Sequence, residues 1–108
     1  MTLRQEKVRG LITELSAEFI QYQANTKSMI TVTDCNVSSD LKKSTIFVTV
    51  FPAENEKEAM DFLKRKRREF REFIKSKMKF MRSVPFFDFE IDKGEKNRQR
   101  IDEISNKI

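Results

Sequence analysis

The sequence contains no histidine and only one cysteine, Cys35, among its 108 residues. Without an imidazole, Ser-His-Asp and Cys-His catalysis lack their general base, and transition-metal sites lack their usual ligands. Cys35 has no second thiol for an internal disulfide, which is typical of proteins in a reducing cytoplasm. These absences exclude most common enzyme chemistries, so we expect a cytoplasmic protein that is not an enzyme.

Long apolar runs are missing as well. No stretch of 18 apolar residues occurs, and the first ten residues, MTLRQEKVRG, lack the apolar centre of a signal peptide. We therefore expect a soluble protein that is not exported and has no membrane partner. Because 38% of the residues are hydrophobic, one modest core is expected. We expect a domain over residues 1–94, a charged tail with a short helix over 95–108, and a monomer without cofactor, metal ion or small-molecule substrate.

Positive charge is concentrated between Leu63 and Pro85. From Lys64 to Arg82 there are ten cations and two acids, which gives this segment a net charge of +8. The whole chain has 22 cations and 17 acids, a net charge of +5, so the remaining residues together carry −3. A local excess of this size is typical of a phosphate-binding surface, where each neutralised phosphate releases a counterion.

On a helical wheel this segment separates into an apolar side and a cationic side. A single continuous helix would turn Lys66 and Lys77 into the apolar side, where an unpaired charge is costly. We therefore predict a break near Lys66 to Arg68, with helices over about 56–66 and 69–80. The predicted RNA-binding residues are Lys64, Arg65, Lys66, Arg67, Arg68, Arg71, Lys75, Lys79, Arg82, Lys42 and Lys43.

Hydrophobic periodicity predicts the other elements. A helix is expected over about 3–23, and Gly10 inside it indicates close packing at that point. Strands are expected over 29–37, with Cys35 on the face opposite Ile30 and Val32, over 45–51, and from Phe86 onwards. Asn55 and Glu58 form a capping-box pattern before the second helix. The order α-β-β-α-kink-α-β predicts an α+β domain with a three-stranded sheet and helices packed on one face.

Several features have two interpretations. The concentrated cations either bind RNA or form a solvated helix surface, and Lys42 and Lys43 either extend the cationic surface or are ordinary charges at a sheet edge. Exposed aromatic residues could stack on unpaired bases, although core packing explains most of the ten phenylalanines; Phe51, Phe80 and Phe86 are the candidates, and Phe86 is expected to be the most exposed. Three acids on one strand face either hold Mg²⁺ for a nuclease or keep the strand soluble; they are Asp88, Glu90 and Asp92.

Three blocks of sequence, in this order of elements, resemble bacterial ribosome-binding factor A. They are Ile30–Leu41 (ITVTDCNVSSDL) leading into Ser44–Val50 (STIFVTV); Arg71–Phe89, with Arg-x-x-Pro followed by Phe-x-Phe; and Arg100–Ile104 (RIDEI). The N-terminal RQEKVRGLITEL is similar to the first helix of that family. The resemblance covers nearly the whole chain and implies a type II KH-like fold. It also implies a small-subunit assembly factor that binds immature small subunits and 16S rRNA and supports 5′-end processing of the precursor without catalysing it.

The chain departs from this family at the predicted break. Family members carry a small Ala-x-Gly element there, whereas this sequence has Lys66, Arg67 and Arg68. Small residues let a backbone approach its ligand closely, while three long cations favour side-chain contacts to phosphate. A generic KH-type module for single-stranded RNA is the alternative function that these residues leave open.

Overall fold

The structure is a computed structural model that describes residues 3–22 and 28–94. Its elements are α1 (Leu3–Tyr22), β1 (Met29–Val37), β2 (Lys43–Phe51), a short 3₁₀ turn (Ala53–Asn55), α2 (Glu56–Arg65), α3 (Arg67–Lys77) and β3 (Phe86–Ile91). The predicted α+β class and element order are confirmed. None of the helices described is long and apolar enough to span a membrane. The short helix predicted in the tail lies outside the described residues.

β2 is the central strand of a three-stranded sheet in the order β1-β2-β3. β1 and β2 form an antiparallel hairpin in which Met29 lies opposite Phe51, whereas β2 and β3 are parallel and Lys43 lies opposite Phe86. Two parallel neighbours cannot be joined by a tight turn, so the chain crosses over through α2 and α3. This crossover brings the cationic segment onto the same face of the sheet as α1.

A β-bulge at Thr33 changes the register of β1. Val32 lies opposite Val48, and Asp34 lies opposite Phe47, the adjacent residue of β2. Thr33 between them is the extra residue of the bulge. The predicted placement of Cys35 opposite Ile30 and Val32 is therefore wrong, because an extra residue shifts the two-residue alternation by one. Cys35 is only 2% exposed and belongs to the core together with the more N-terminal apolar residues of its strand.

α1 packs one side of its surface against the sheet. Arg9 ties it to β1, since its Nε donates a 2.7 Å hydrogen bond to the Cys35 carbonyl and its guanidinium pairs with the Asp34 carboxylate. The close packing predicted at Gly10 is wrong, because a Cβ added there would meet no atom within 4 Å. The buried residues follow three- and four-residue spacing; they are Gln5, Val8, Ile12, Ser16, Phe19 and Ile20.

Aromatic rings join α1, α3 and β3 in the core. The ring of Phe70 on α3, which is fully buried, lies 5.2 Å from the ring of Phe19, 4.8 Å from that of Phe87 and 5.3 Å from that of Phe89, measured between centroids. These distances and the tilted or edge-on orientations are those that aromatic pairs prefer. The cluster fixes α3 against the sheet, so the opposite side of α3 must face solvent.

The predicted break between the two helices is confirmed at Lys66. Its backbone has φ −92° and ψ 2°, and its N–H lies 3.1 Å from the carbonyl oxygens of both Phe62 and Leu63. The Phe70 N–H donates to the Lys66 carbonyl at 2.9 Å, which begins the hydrogen-bond pattern of α3. One residue outside the helical region thus redirects the helix axis, and Lys66 does not enter the core.

The ends of the two helices differ from the sequence predictions. α2 begins at Glu56, as the pattern indicated, but no capping box forms, because the Asn55 side chain makes no cap hydrogen bond; its amide nitrogen donates to the Ser28 hydroxyl at 3.1 Å. α3 ends at Lys77 and not near residue 80, because the backbone leaves the helical region at Met78, which has φ −113° and ψ 57°. Arg82 therefore lies in the connection to β3 and not on a helix.

Candidate nucleic-acid interface

The solvent side of α2 and α3 presents five of the predicted RNA-binding residues, which we term the basic face: Lys64, Arg65, Arg68, Arg71 and Lys75. All five are exposed, whereas Leu63, Phe70 and Ile74 on the opposite side are at most 1% exposed. Among the residues described, none of the five forms an ion pair. The basic face is therefore a cationic surface without ion pairs in the described structure, on the side of the two helices opposite the core, and at Lys64 and Arg65 it borders a cleft that also contains Glu54, Glu58 and Asp61.

Two predicted residues beside the basic face are partly neutralised. Lys66 Nζ lies 3.4 Å from a carboxylate oxygen of Glu69, one turn further along the chain. Arg67 Nη1 lies 3.5 Å from a carboxylate oxygen of Asp88 on β3, and its guanidinium carbon lies 5.6 Å from the centroid of the Phe86 ring. Arg67 thus spans the gap between α3 and the edge strand.

Lys42 at the end of the hairpin loop and Lys43 at the start of β2 are both exposed. The Ser38 hydroxyl accepts hydrogen bonds from the backbone N–H groups of both lysines, at 3.2 and 3.0 Å, and donates to Asp40 at 2.6 Å. That hydrogen bond from Ser38, together with one from the Lys42 N–H, lowers the pKa of Asp40. The network holds the loop in one conformation and fixes the positions of the two lysines.

Leu41 in this loop has φ 60°, in the left-handed region that branched side chains rarely adopt. Its side chain is partly buried against the core. The apolar contact and the bonds of Ser38 together hold this strained geometry.

Arg82, Lys42 and Arg71 come together around a cleft of about 530 Å³. The cleft also contains Arg4, from the first turn of α1, which the sequence analysis missed. Arg4 lies far from the cationic segment along the chain, so no local count of charge could have found it. The remaining predicted residue, Lys79, is exposed in the turn after α3, and no described contact brings it to the cleft.

Three phenylalanines are exposed, as expected of stacking candidates. The order of exposure was predicted wrongly, since Phe51 is 71% exposed and Phe80 is 70% exposed, compared with 58% for Phe86. The ring of Phe86 is partly covered because Arg67 lies over it. Of the three, only Phe86 lines the cleft that holds Arg71 and Arg82.

The acids of β3 share one side of the strand, as the alternation predicted. Asp88 pairs with Arg67 and accepts a hydrogen bond from the Phe89 N–H at 2.9 Å, while Asp92 accepts one from the Thr33 hydroxyl at 2.5 Å. In residues 3–22 and 28–94, no group of three His, Cys, Asp or Glu side chains is placed to hold a metal ion. Asp88 and Asp92 serve as partners within the fold.

Parallel β2 and β3 strands, helices on one face and a kinked α2–α3 pair with exposed cations define a type II KH-like domain, a fold class that binds RNA. The chain belongs to the ribosome-binding factor A family, whose sequence model matches residues 4–105. The resemblance drawn from the sequence is thereby confirmed. A ribosome-binding factor A from Chlorobaculum parvum is 30% identical over 111 residues, an alignment that covers 100% of this chain and 92% of the relative.

Two solved structures share the fold. The crystal structure of ribosome-binding factor A from Thermus thermophilus matches with a TM-score of 0.73 and 22% identity, over 81% of this chain and 93% of that one. A homology model of the Thermus thermophilus factor, fitted into a cryo-EM map of a 30S complex, matches with a TM-score of 0.68 and 22% identity, over 78% and 90% of the two chains. At this identity the likeness establishes the common fold.

Proposed function

We propose that this protein is an assembly factor of the small ribosomal subunit that binds immature subunits through their 16S rRNA. It supports late maturation and processing of the precursor rRNA at the 5′ end. Membership of the ribosome-binding factor A family supports this proposal, as does the presence of a relative in a 30S complex. The observation that carries it is the unpaired basic face on α2 and α3, a surface suited to a phosphate backbone.

The proposed mechanism is a shift in the population of rRNA conformations. A protein that binds one arrangement of a flexible RNA more tightly than another favours it by the difference in binding free energy. No bond is made or broken in this mechanism, so the protein acts as a binding factor and not as an enzyme. The mechanism places the protein in the cytoplasm, where ribosomal subunits mature.

The proposed RNA contacts comprise the basic face and its neighbours. Arg68, Arg71 and Lys75 make phosphate contacts along α3, and Lys64 and Arg65 continue them along α2. Lys66 and Arg67 exchange an acidic partner for a phosphate when RNA is bound. Residues 1–94 form the RNA-binding domain in this proposal, and the remaining proposed contacts surround the hairpin loop and the connection to β3: Lys42, Lys43, Lys79 and Arg82.

Charge reversal on the basic face tests the proposal. The double variant Arg68→Glu/Arg71→Glu removes two phosphate contacts and introduces repulsion, so co-sedimentation with immature small subunits should weaken by more than about tenfold. Both residues are exposed and unpaired in the described structure, so the far-UV circular dichroism and the unfolding midpoint should be those of the wild type.

The matched control is Lys7→Glu/Lys93→Glu, which changes the net charge equally at two exposed positions that are not part of the basic face. This control should retain most of the subunit binding. Equal binding by the basic-face variant and the wild type would contradict the proposal. Equal losses in both double variants would also contradict it, because net charge alone would then explain binding.

A generic module for single-stranded RNA remains the competing function, because the cleft beside Phe86 suits unpaired bases. A competition experiment with labelled immature subunits distinguishes the two functions. An assembly factor should be displaced from labelled immature subunits by unlabelled immature subunits far more readily than by a short unstructured oligonucleotide, whereas a generic module should be displaced about equally by both.

A further inference from the structure

We propose that the cleft between α1, the hairpin loop and the connection before β3 binds one unstacked nucleotide of single-stranded RNA. The base lies against the ring of Phe86, and the phosphate lies between Arg4 and Arg82. This inference rests on the proposed function, and it adds the cleft as a second RNA-binding site that recognises a single unstacked nucleotide. It assigns Arg4 and Phe86 to binding, although neither belongs to the basic face.

The first argument is that cations from four separate parts of the fold line one cleft. Arg4 comes from α1, Lys42 from the hairpin loop, Arg71 from α3 and Arg82 from the connection to β3. Among the residues described, none of these four forms an ion pair. The cleft volume of about 530 Å³ lies within the range of ~300–1,000 Å³ that small-molecule sites occupy. Four like charges around a cavity favour an anionic occupant.

The second argument is the placement of the Phe86 ring. It is 58% exposed, lines the cleft, and lies 5.6 Å from the guanidinium carbon of Arg67. The Phe86 N–H donates to the Lys42 carbonyl at 2.8 Å, so the ring is held at the end of β3 beside the hairpin loop. An exposed aromatic ring beside uncompensated cations provides both parts of single-strand recognition, a stacking surface and a phosphate partner.

The third argument is that the wall formed by the hairpin loop carries a carboxylate held by hydrogen bonds. The Ser38 hydroxyl and the Lys42 N–H both donate to Asp40, and these bonds lower its pKa, so the group is negatively charged at neutral pH. A carboxylate repels phosphate but accepts hydrogen bonds from the amino group of adenine, cytosine or guanine. The charges therefore orient the nucleotide, with its base toward Asp40 and its phosphate toward Arg4 and Arg82.

The test compares an RNA hexamer of adenosines with an abasic hexamer that has the same sugar-phosphate backbone but no bases. Fluorescence anisotropy with the full chain should show that the wild type binds the intact hexamer at least about tenfold more tightly than the abasic one, because only the former can stack. Phe86→Leu should remove most of this preference, leaving only the part that the hydrogen bond to Asp40 supplies, and the affinity for the abasic hexamer should be unchanged. The matched control Phe51→Leu, at an exposed ring outside the cleft, should keep the preference.

The phosphate contacts need a second variant. Arg4→Gln/Arg82→Gln should weaken binding of both hexamers by the same factor and reduce the slope of log affinity against log salt by about one to two. Adenosine monophosphate can enter the cleft but makes no contact with the basic face, so it should displace the labelled hexamer far less than the unlabelled hexamer does at the same concentration; equal displacement would overturn the assignment to RNA.

The cleft proposal is wrong if Phe86→Leu and Phe51→Leu have equal effects on the preference for the intact hexamer, or if the wild type has no such preference. The proposed function still stands after either outcome, provided that the wild type co-sediments with immature subunits. If the wild type fails to co-sediment, the proposed function itself is wrong. The same circular dichroism spectrum in every variant shows that a loss of binding does not come from unfolding.

Discussion

At the scale of single residues, the bulge at Thr33 shows where sequence reasoning fails. The alternation of β1 predicted a strand with the observed bounds, but it placed Cys35 on the wrong face. A bulge adds one residue without any required change in composition, so a two-residue pattern cannot locate it. The face on which Cys35 lies is instead set by its pairing with β2, which exists only in the folded hairpin.

Gly10→Ala is expected to stabilise the protein by about 0.5–1 kcal/mol, because Gly10 is exposed within α1 and the new methyl group meets no atom. Urea denaturation measures the free energy of unfolding. The reverse substitution Ala17→Gly, at another exposed position of α1, is the control and should destabilise by about 1 kcal/mol. A loss of stability in Gly10→Ala would mean that the glycine is closely packed after all.

The Cys35 thiol should be unreactive in the folded protein. Burial raises the pKa of Cys35 above the ordinary thiol value of 9.0, so the protonated form is favoured on folding. Its contribution to stability is complete below pH 9 and is lost as the pH rises through the raised pKa. Alkylation by iodoacetamide at about pH 8 should be more than about 100-fold slower without urea than in unfolding urea. Equal rates in the two conditions would show that the thiol is accessible.

At the scale of elements, the junction between α2 and α3 was predictable because a continuous helix conflicted with burial. Lys66 would have entered an apolar surface, and the structure resolves this conflict with one residue outside helical geometry. The end of α3 was not predictable in the same way, because both Met78 and Met81 fit a continued apolar pattern. The backbone leaves helical geometry at Met78, a residue that would be buried in either case.

Phe70 is expected to be the residue of α3 whose loss costs the most. Its ring contacts rings from α1 and β3, so Phe70→Ala should lower the free energy of unfolding by about 3–5 kcal/mol and Phe70→Leu by less. Chemical denaturation followed by circular dichroism gives both values. Phe80→Ala, at a ring that is 70% exposed, should change stability by no more than about 0.5 kcal/mol; a similar loss at both positions would contradict the assigned core.

At the scale of the whole molecule, the sequence predicted the fold and the location of the basic face, but not the cleft. Helical periodicity places cations on one side of α2 and α3 because neighbours on a helix are three or four positions apart. Arg4, Lys42 and Arg82 come together only through the sheet order and the crossover, which a local pattern does not contain. The sites that depend on long-range topology are those that sequence analysis missed.

RNA binding should depend strongly on salt, since phosphate contacts release counterions. Lys64→Gln/Lys75→Gln removes one cation from each helix of the basic face, and it should reduce the slope of log affinity against log salt by about one to two. Anisotropy titrations at several salt concentrations measure the slope. The pair Lys7→Gln/Lys93→Gln, outside the basic face, should change it by less, and an equal change in both pairs would assign the salt dependence to net charge.

The parallel pairing of β2 with β3 also has a consequence for the order in which binding properties arise during folding. The hairpin and the two helices form through contacts between nearby residues, whereas β3 must return across the crossover before Phe86 can lie beside Lys43. A chain in which β3 has not yet docked would therefore display the cations of α2 and α3 without the cleft. Such an intermediate would adhere to RNA through charge alone, and base recognition would be acquired only when folding is complete.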